Sequence, residues 1–165
     1  MTLIAGIDPG ASAGVVLLHA PSTGWRMPSV RAQGWAVRGD RPRDVADAVE
    51  RLRDLGCTEA WVERQIRRHH EKASDKSLIT LSERCGYWVQ ALGVAGILVE
   101  RVEPHVWQRA TGARELSVRY VLARELTGIA CENDDVATAA CLALYGERVG
   151  MESEARSHSP RRRWP

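Results

Sequence analysis

Apolar positions along this chain follow two periods. Residues 3–7 (LIAGI) and 15–19 (VVLLH) are short apolar runs. They are joined by Asp8-Pro9-Gly10-Ala11-Ser12-Ala13-Gly14, which predicts a β-hairpin. A third strand is expected within residues 31–37, ended by Gly39-Asp40. Asp40 is placed to cap a helix beginning near Arg41 or Pro42. That helix carries Val45, Val49, Leu52 and Leu55 at helical spacing and stops at Gly56. Residues 58–63 (TEAWVE) predict a strand ending in an acid, and residues 65–75 a polar loop or frayed helix start. Leu78, Leu81, Cys85, Trp88 and Leu92 mark a long helix closed by Gly93, with Trp88 on its core or interface stripe. Residues 96–102 (GILVERV) predict a strand, followed by a short helix around Trp107 and another over residues 115–126 with Gly128 as its stop. Glu132 or Asn133 opens the last helix, which runs to about Gly146.

Three strands followed by alternating helices and strands predict an α/β domain. Its central sheet is mixed and five-stranded, its first three strands are antiparallel, and helices flank it. Residues 1–150 form this domain, and residues 151–165 are expected to be a basic, flexible C-terminal tail. The 165 residues suit one domain, and 44% hydrophobic with 27% charged residues excludes collagen-like, mucin-like and fully disordered chains. Cys57, Cys85, Cys131 and Cys141 form no C-x-x-C pair, so reduced thiols are expected rather than zinc. The N-terminus lacks a signal-peptide pattern and no window is apolar enough to span a membrane, so a cytoplasmic protein is expected, in a bacterium or a phage-infected host cell.

The acids of interest fall at element ends. Asp8 closes the first strand, Glu63 closes the fourth, and Glu132, Asp134 and Asp135 stand where the last helix begins. Side chains there can point into a shared cleft, because α/β folds build sites at aligned strand ends. A carboxylate cluster needs a counter-charge, and Mg²⁺ or Mn²⁺ takes such hard oxygen ligands. Two such ions ~3.5–4 Å apart can activate water and stabilise the leaving oxygen in phosphodiester cleavage. Ala137, Ala139, Ala140 and Ala143 would let the last helix approach the sheet closely and bring its acidic start near Asp8. Taken singly, each acid has an ordinary explanation: a helix-start partner for Asp134 and Asp135, a turn residue for Asp8, a surface residue for Glu63. It is their order on these elements that points to a site.

The stretches GIDPGASAGVVLL, AWVERQ, EPHVWQRATG and ENDDVATAACLALYG together resemble RuvC-type Holliday junction resolvases of the RNase H-like nuclease superfamily, over roughly residues 3–146. The resemblance implies an RNase H-like fold, a homodimer and Mg²⁺-dependent cleavage of four-way DNA junctions by paired nicks, leaving 5′-phosphate and 3′-hydroxyl ends, with Mn²⁺ also supporting activity. It implies that Asp8 bridges two metal ions, that Glu63 completes the second site and that the last helix supplies one or two further ligands. The family carries an acid or His and a second acid three residues later on that helix. Here an ungapped match puts Asp135 at the first position and Thr138 at the second. A shift of one turn selects Glu132 with Asp135, and a third option uses Asp134, which shares a helix face with Thr138. Asp135 is favoured first, then Glu132 or Asp134.

Arg64, Arg67, Arg68, His69, His70 and Lys72 follow directly on Glu63 and would contact the DNA backbone without reading sequence. Arg109 would stand near the scissile phosphate, and the tail residues Arg161, Arg162, Arg163 and Trp164 could add phosphate contacts and a stacking ring. Solvated surface charge is the plainer account of each. The formal net charge is only +2, but 21 of the 23 basic residues are arginine, whose planar fork suits phosphate. GC-rich codon usage would also favour arginine. Residues 151–165 carry +2, so residues 1–150 sum to zero, and setting the five candidate acids apart leaves that body at +5. Near-neutrality therefore does not exclude nucleic acid. Two alternatives share the fold: a catalytically impaired junction-binding module, which Thr138 keeps open, and a nuclease of RNA–DNA hybrids. A sugar-kinase or actin-like lobe would need a second lobe and phosphate loop, for which 165 residues leave no room.

Overall fold

The computed structural model describes residues 2–20, 32–64 and 75–158. The hairpin forms from β1 (Thr2–Asp8) and β2 (Ser12–Ala20), and β3 (Ala32–Arg38) follows. Then come α1 (Pro42–Asp54), β4 (Glu59–Glu63), α2 (Asp75–Val94), β5 (Leu98–Val102), α3 (Pro104–Thr111) and α4 (Leu116–Leu122). A π-helical turn, Ala123–Thr127, continues α4, and α5 (Asp134–His158) ends the described chain. The five strands form one mixed sheet in the order β3-β2-β1-β4-β5. β2 is antiparallel to both β1 and β3, while β4 is parallel to β1 and β5 is parallel to β4. This is the expected architecture.

Both faces of the sheet are covered, so β2 is apolar on both: Val15 and Leu17 meet α1 and α2, whereas Val16 and Leu18 meet the α5 side. On the first face Val45, Leu52, Trp88 and Leu92 are fully buried, which places Trp88 in the core. Its indole nitrogen finds no hydrogen-bond partner among the described residues. On the other face α5 presents Val136, Ala139, Ala140 and Ala143. Small residues on both sides bring backbones together there. A Cβ on Gly6 would overlap the Ala139 carbonyl oxygen, and one on Gly14 would overlap the Asp135 carbonyl.

Several boundaries differ from expectation. Asp40 does not cap α1; Arg41 holds the N-cap position with no side-chain cap bond, and Asp40 faces Arg38 at 4.0 Å. Pro42 at the first helical position already dispenses with one N–H and presets φ, so the helix starts without a polar cap. α2 passes through Gly93, and the left-handed residue after it is Gly96, with φ +75°. The helix expected over residues 115–126 divides into α4 and the π turn, with Gly128 left-handed as the stop. α5 runs on to His158 rather than ending near Gly146, so part of the expected tail is helical. A lone glycine costs a helix only about 1 kcal/mol, and the residues around Gly146 and Gly150 are mostly good helix formers. No helix among the described residues is long and apolar enough to cross a membrane.

Candidate active site at the sheet edge

Strand alternation aims the first two acids. Ala5 and Ile7 of β1 face α1 and α2, so Ile4, Gly6 and Asp8 face the α5 side. In β4, Ala60 and Val62 face α1 and α2, so Trp61 and Glu63 face the α5 side. The parallel register pairs Ile7 with Val62, which makes Asp8 and Glu63 neighbours at the end of the ladder. The Arg64 amide donates to the Val102 carbonyl at 2.7 Å and ties down the chain just past Glu63.

Helix α5 brings the third acid. Asn133 caps it, its Oδ1 accepting the Val136 amide at 2.9 Å, and Asp134 and Asp135 occupy the first turn. Gly14 is the direct cross-strand partner of Asp8 and is also where the Asp135 carbonyl touches the sheet. Glycine at that one position therefore lets Asp135 come close to Asp8. Burial in this cleft, then the charges of Glu63 and Asp135, hold the Asp8 carboxyl well above the ordinary carboxylate range. The Arg119 guanidinium and a hydrogen bond with Thr138 pull it back in part. Burial also raises Asp135, opposed by a hydrogen bond with Ser12 and reinforced by the adjacent Asp134 charge.

The other acids of the α5 start lie elsewhere. Glu132 precedes the helix and is exposed. Asp134 is exposed and accepts the Tyr120 hydroxyl at 2.7 Å. Neither contributes to the field that shifts Asp8. Arg64 is exposed at the end of β4, 3.5 Å from Glu103. Arg109 is exposed in the last turn of α3. Arg67, Arg68, His69, His70 and Lys72 lie outside the described residues, as do the four tail residues from Arg161 to Trp164.

Two further residues shape the site, one inside the EPHVWQRATG stretch and one outside every motif. Trp107 is buried on α3 and donates its indole N–H to Glu63 Oε1 at 3.1 Å. Arg119 of α4 lies with its guanidinium carbon 5.1 Å from the centre of the Trp107 ring, and its Nη1 donates to Thr138 Oγ1 at 3.1 Å. Only the helical spacing of Thr138 from Asp135 hinted that this part of the cleft differs; nothing singled Arg119 out among 21 arginines.

The donor set fits a hard divalent cation. Asp8, Glu63 and Asp135 offer oxygens only, and burial, followed by the charges of the other two acids, raises Asp8, a cost that a cation would relieve. Among the described residues no three His, Cys, Asp or Glu side chains stand placed to hold a metal ion together, so the fit rests on charge and donor type alone.

No protein-family model and no curated relative matches the chain. Among solved structures, Thermus thermophilus RuvC aligns with a TM-score of 0.71 at 20% identity, over 92% of this chain and 97% of that one. T. thermophilus RuvC in complex with Holliday junction substrate also gives 0.71, at 19% identity over 92% and 96%. The yeast mitochondrial Holliday junction resolvase Ydc2 gives 0.57 at 14% identity, over 93% of this chain and 81% of that one. At these identities the likeness is one of fold: the chain has the RuvC-like form of the RNase H-like α/β sheet, with Asp8, Glu63 and Asp135 gathered at one edge.

Proposed function

We propose that this protein is a metal-dependent, structure-selective DNA endonuclease that resolves four-way junctions by paired nicks. The observation that carries the proposal is the convergence of Asp8, Glu63 and Asp135 from three separate elements of a RuvC-like fold. Such a cluster carries a desolvation and repulsion cost that a bound cation would offset. A structure of that fold bound to Holliday junction substrate supports branched DNA as the partner.

A Mg²⁺ or Mn²⁺ ion bound there supplies Lewis-acid stabilisation of a phosphoryl oxygen and lowers the pKa of water. Asp8 and Asp135 would hold that ion from the strand end and the helix start, and Glu63 from β4. Trp107 fixes the Glu63 carboxylate through its indole N–H, and Ser12 fixes Asp135. The basic stretch from Arg64 to Lys72 enters directly after Glu63 and would hold the DNA backbone, and Arg109 would add a contact from α3. Two matched cuts on a two-fold junction call for a homodimer.

The test is nicking of a synthetic four-way junction, a linear duplex and an RNA–DNA hybrid in competition. The junction is expected to be nicked first. Preference for the hybrid would favour the hybrid-nuclease alternative. Asp8→Asn is expected to keep junction binding in a mobility-shift assay while losing cleavage, and a fully active Asp8→Asn protein would overturn the site assignment.

A further inference from the structure

Helical threonines in this chain differ in where they send the hydroxyl proton. Thr111 and Thr127 each donate to the carbonyl four residues earlier, that of Trp107 and of Ala123. This is the ordinary back-bond of a hydroxyl inside a helix. Thr138 of α5 behaves otherwise. It is only 2% exposed and stands one turn after Asp135 on the inward face. Its hydroxyl accepts Arg119 Nη1 at 3.1 Å and is hydrogen-bonded to Asp8 across the cleft. A hydroxyl has one proton, and a guanidinium has donors only. The proton is therefore directed to the Asp8 carboxylate.

Arg119 is fixed independently of the acids. Its Nε donates to the Ala113 carbonyl at 3.2 Å and its Nη2 to the Arg114 carbonyl at 3.3 Å, both in the connection between α3 and α4. The guanidinium also lies over the Trp107 ring. Bonds on all three nitrogens and a ring face hold its plane, and its charge persists at any working pH. The two carbonyls and the ring would suffice to seat a purely structural arginine. The third bond goes instead to the one hydroxyl that touches Asp8. With Arg119 removed, that hydroxyl is free to turn back to the Asp134 carbonyl, as Thr111 and Thr127 do to theirs, and Asp8 loses the group that fixes its rotation.

We propose that Arg119 is a positioning residue of this site, which orients the Asp8 carboxylate through the Thr138 hydroxyl. The inference rests on the metal-dependent reading above and deepens it. Arg119 acts as an outer partner of a metal-holding carboxylate, and removal of such partners costs about 10–100-fold in metal affinity or activity.

A double-mutant cycle on the full-length protein tests this, read by calorimetric titration of the metal-free protein with Mn²⁺ and by nicking of a four-way junction. Thr138→Val keeps the shape and deletes the hydroxyl. Thr138→Val and Arg119→Gln, each shown to be folded by circular dichroism, are expected to lose about 10–100-fold in Mn²⁺ affinity and in nicking rate. The double variant is expected to lose no more than the worse single one, because both changes break the same chain of bonds. Thr138→Ser, which restores a hydroxyl, is expected to recover most of what Thr138→Val loses. Should Arg119→Gln not fold, Arg119→Lys takes its place in the cycle, since it keeps the charge but lacks the fork that reaches all three acceptors. Thr138→Val with wild-type Mn²⁺ affinity and nicking rate would overturn the inference and leave the nuclease reading standing. So would a double variant whose loss is the product of the two single losses. Wild-type protein that neither binds Mn²⁺ nor nicks would overturn the metal-dependent reading and this inference with it.

Discussion

The two faces of the sheet are built on opposite plans. Towards α1 and α2 the contact is made by large side chains, with Leu52, Trp88 and Leu92 fully buried against Ile7, Val15 and Leu17. Towards α5, where the helix crosses β1 and β2, it is made by alanines against glycines, so that helix backbone touches strand backbone at Gly6 and Gly14, while Trp61, Trp107 and Leu142 fill the part nearer β4. The first plan buries much apolar area and tolerates small shifts. The second leaves little room for adjustment and fixes where the start of α5 stands. All three acids of the candidate site face the second side. The thick face therefore serves stability, and the thin face serves position.

Changes to the acids themselves should have the largest effect. Asp8→Asn or Asp135→Asn is expected to lower junction cleavage by roughly 10³-fold or more, as for loss of a metal ligand and the charge stabilisation it supports. Gly14→Ala comes next and tests the thin face directly. Its Cβ must displace the Asp135 backbone, which is expected to cost about 3 kcal/mol. The surviving folded protein should also lose about 10²-fold in cleavage, because Asp135 moves away from Asp8. Thermal melting and single-turnover rates read the two losses separately. If Gly14→Ala lost stability but no activity, the positional role of this face would be wrong.

Leu52→Ala is the matching change on the thick face. It is expected to cost about 2–5 kcal/mol, or roughly 2–4 °C of melting temperature per kcal/mol, while folded protein cleaves at the wild-type rate. Acidification should give a smaller effect. Asp8 titrates higher in the folded protein than in the unfolded chain. Metal-free stability attributable to it is therefore greatest at acid pH, falls as pH rises past the unfolded value, and levels off above the folded value. Melting curves of the metal-free protein should show this slope, Asp8→Asn should lack it, and Mg²⁺ should oppose it.

The smallest effect compares the faces through their cysteines. Burial pushes the Cys57 thiol, under α1 and α2, up to about 11, and the Cys141 thiol, on the inward side of α5, up to about 12. Cys131 is less covered and raised less. Alkylation followed by mass spectrometry is expected to label Cys131 first, with Cys57 and Cys141 reacting only as their faces open.

Much of this was legible in the chain. Asp8 and Glu63 stand at the ends of apolar runs, and period-two alternation with a parallel register turns them to one side. The alanine-rich last helix announced a close approach, which Gly6 and Gly14 complete. Which acid of the α5 start faces the sheet was not legible, because a helix cap one residue earlier or later rotates the face by about 100°. Asn133 as the cap selects Asp135 and turns Asp134 out to Tyr120. Arg119 was invisible because its role depends on the packing of α3, α4 and α5 around one hydroxyl. The sequence pattern showed Thr138 only as a missing acid, whereas the folded chain sets a cation beside it.

The most direct measurement is nicking of one labelled synthetic four-way junction by wild-type protein in Mg²⁺ and in EDTA, with Asp135→Asn run alongside. Symmetric nicks in Mg²⁺, none in EDTA, and binding without cleavage by Asp135→Asn are the predicted results. Wild-type protein that binds the junction yet never nicks it in Mg²⁺ or Mn²⁺ would contradict the account.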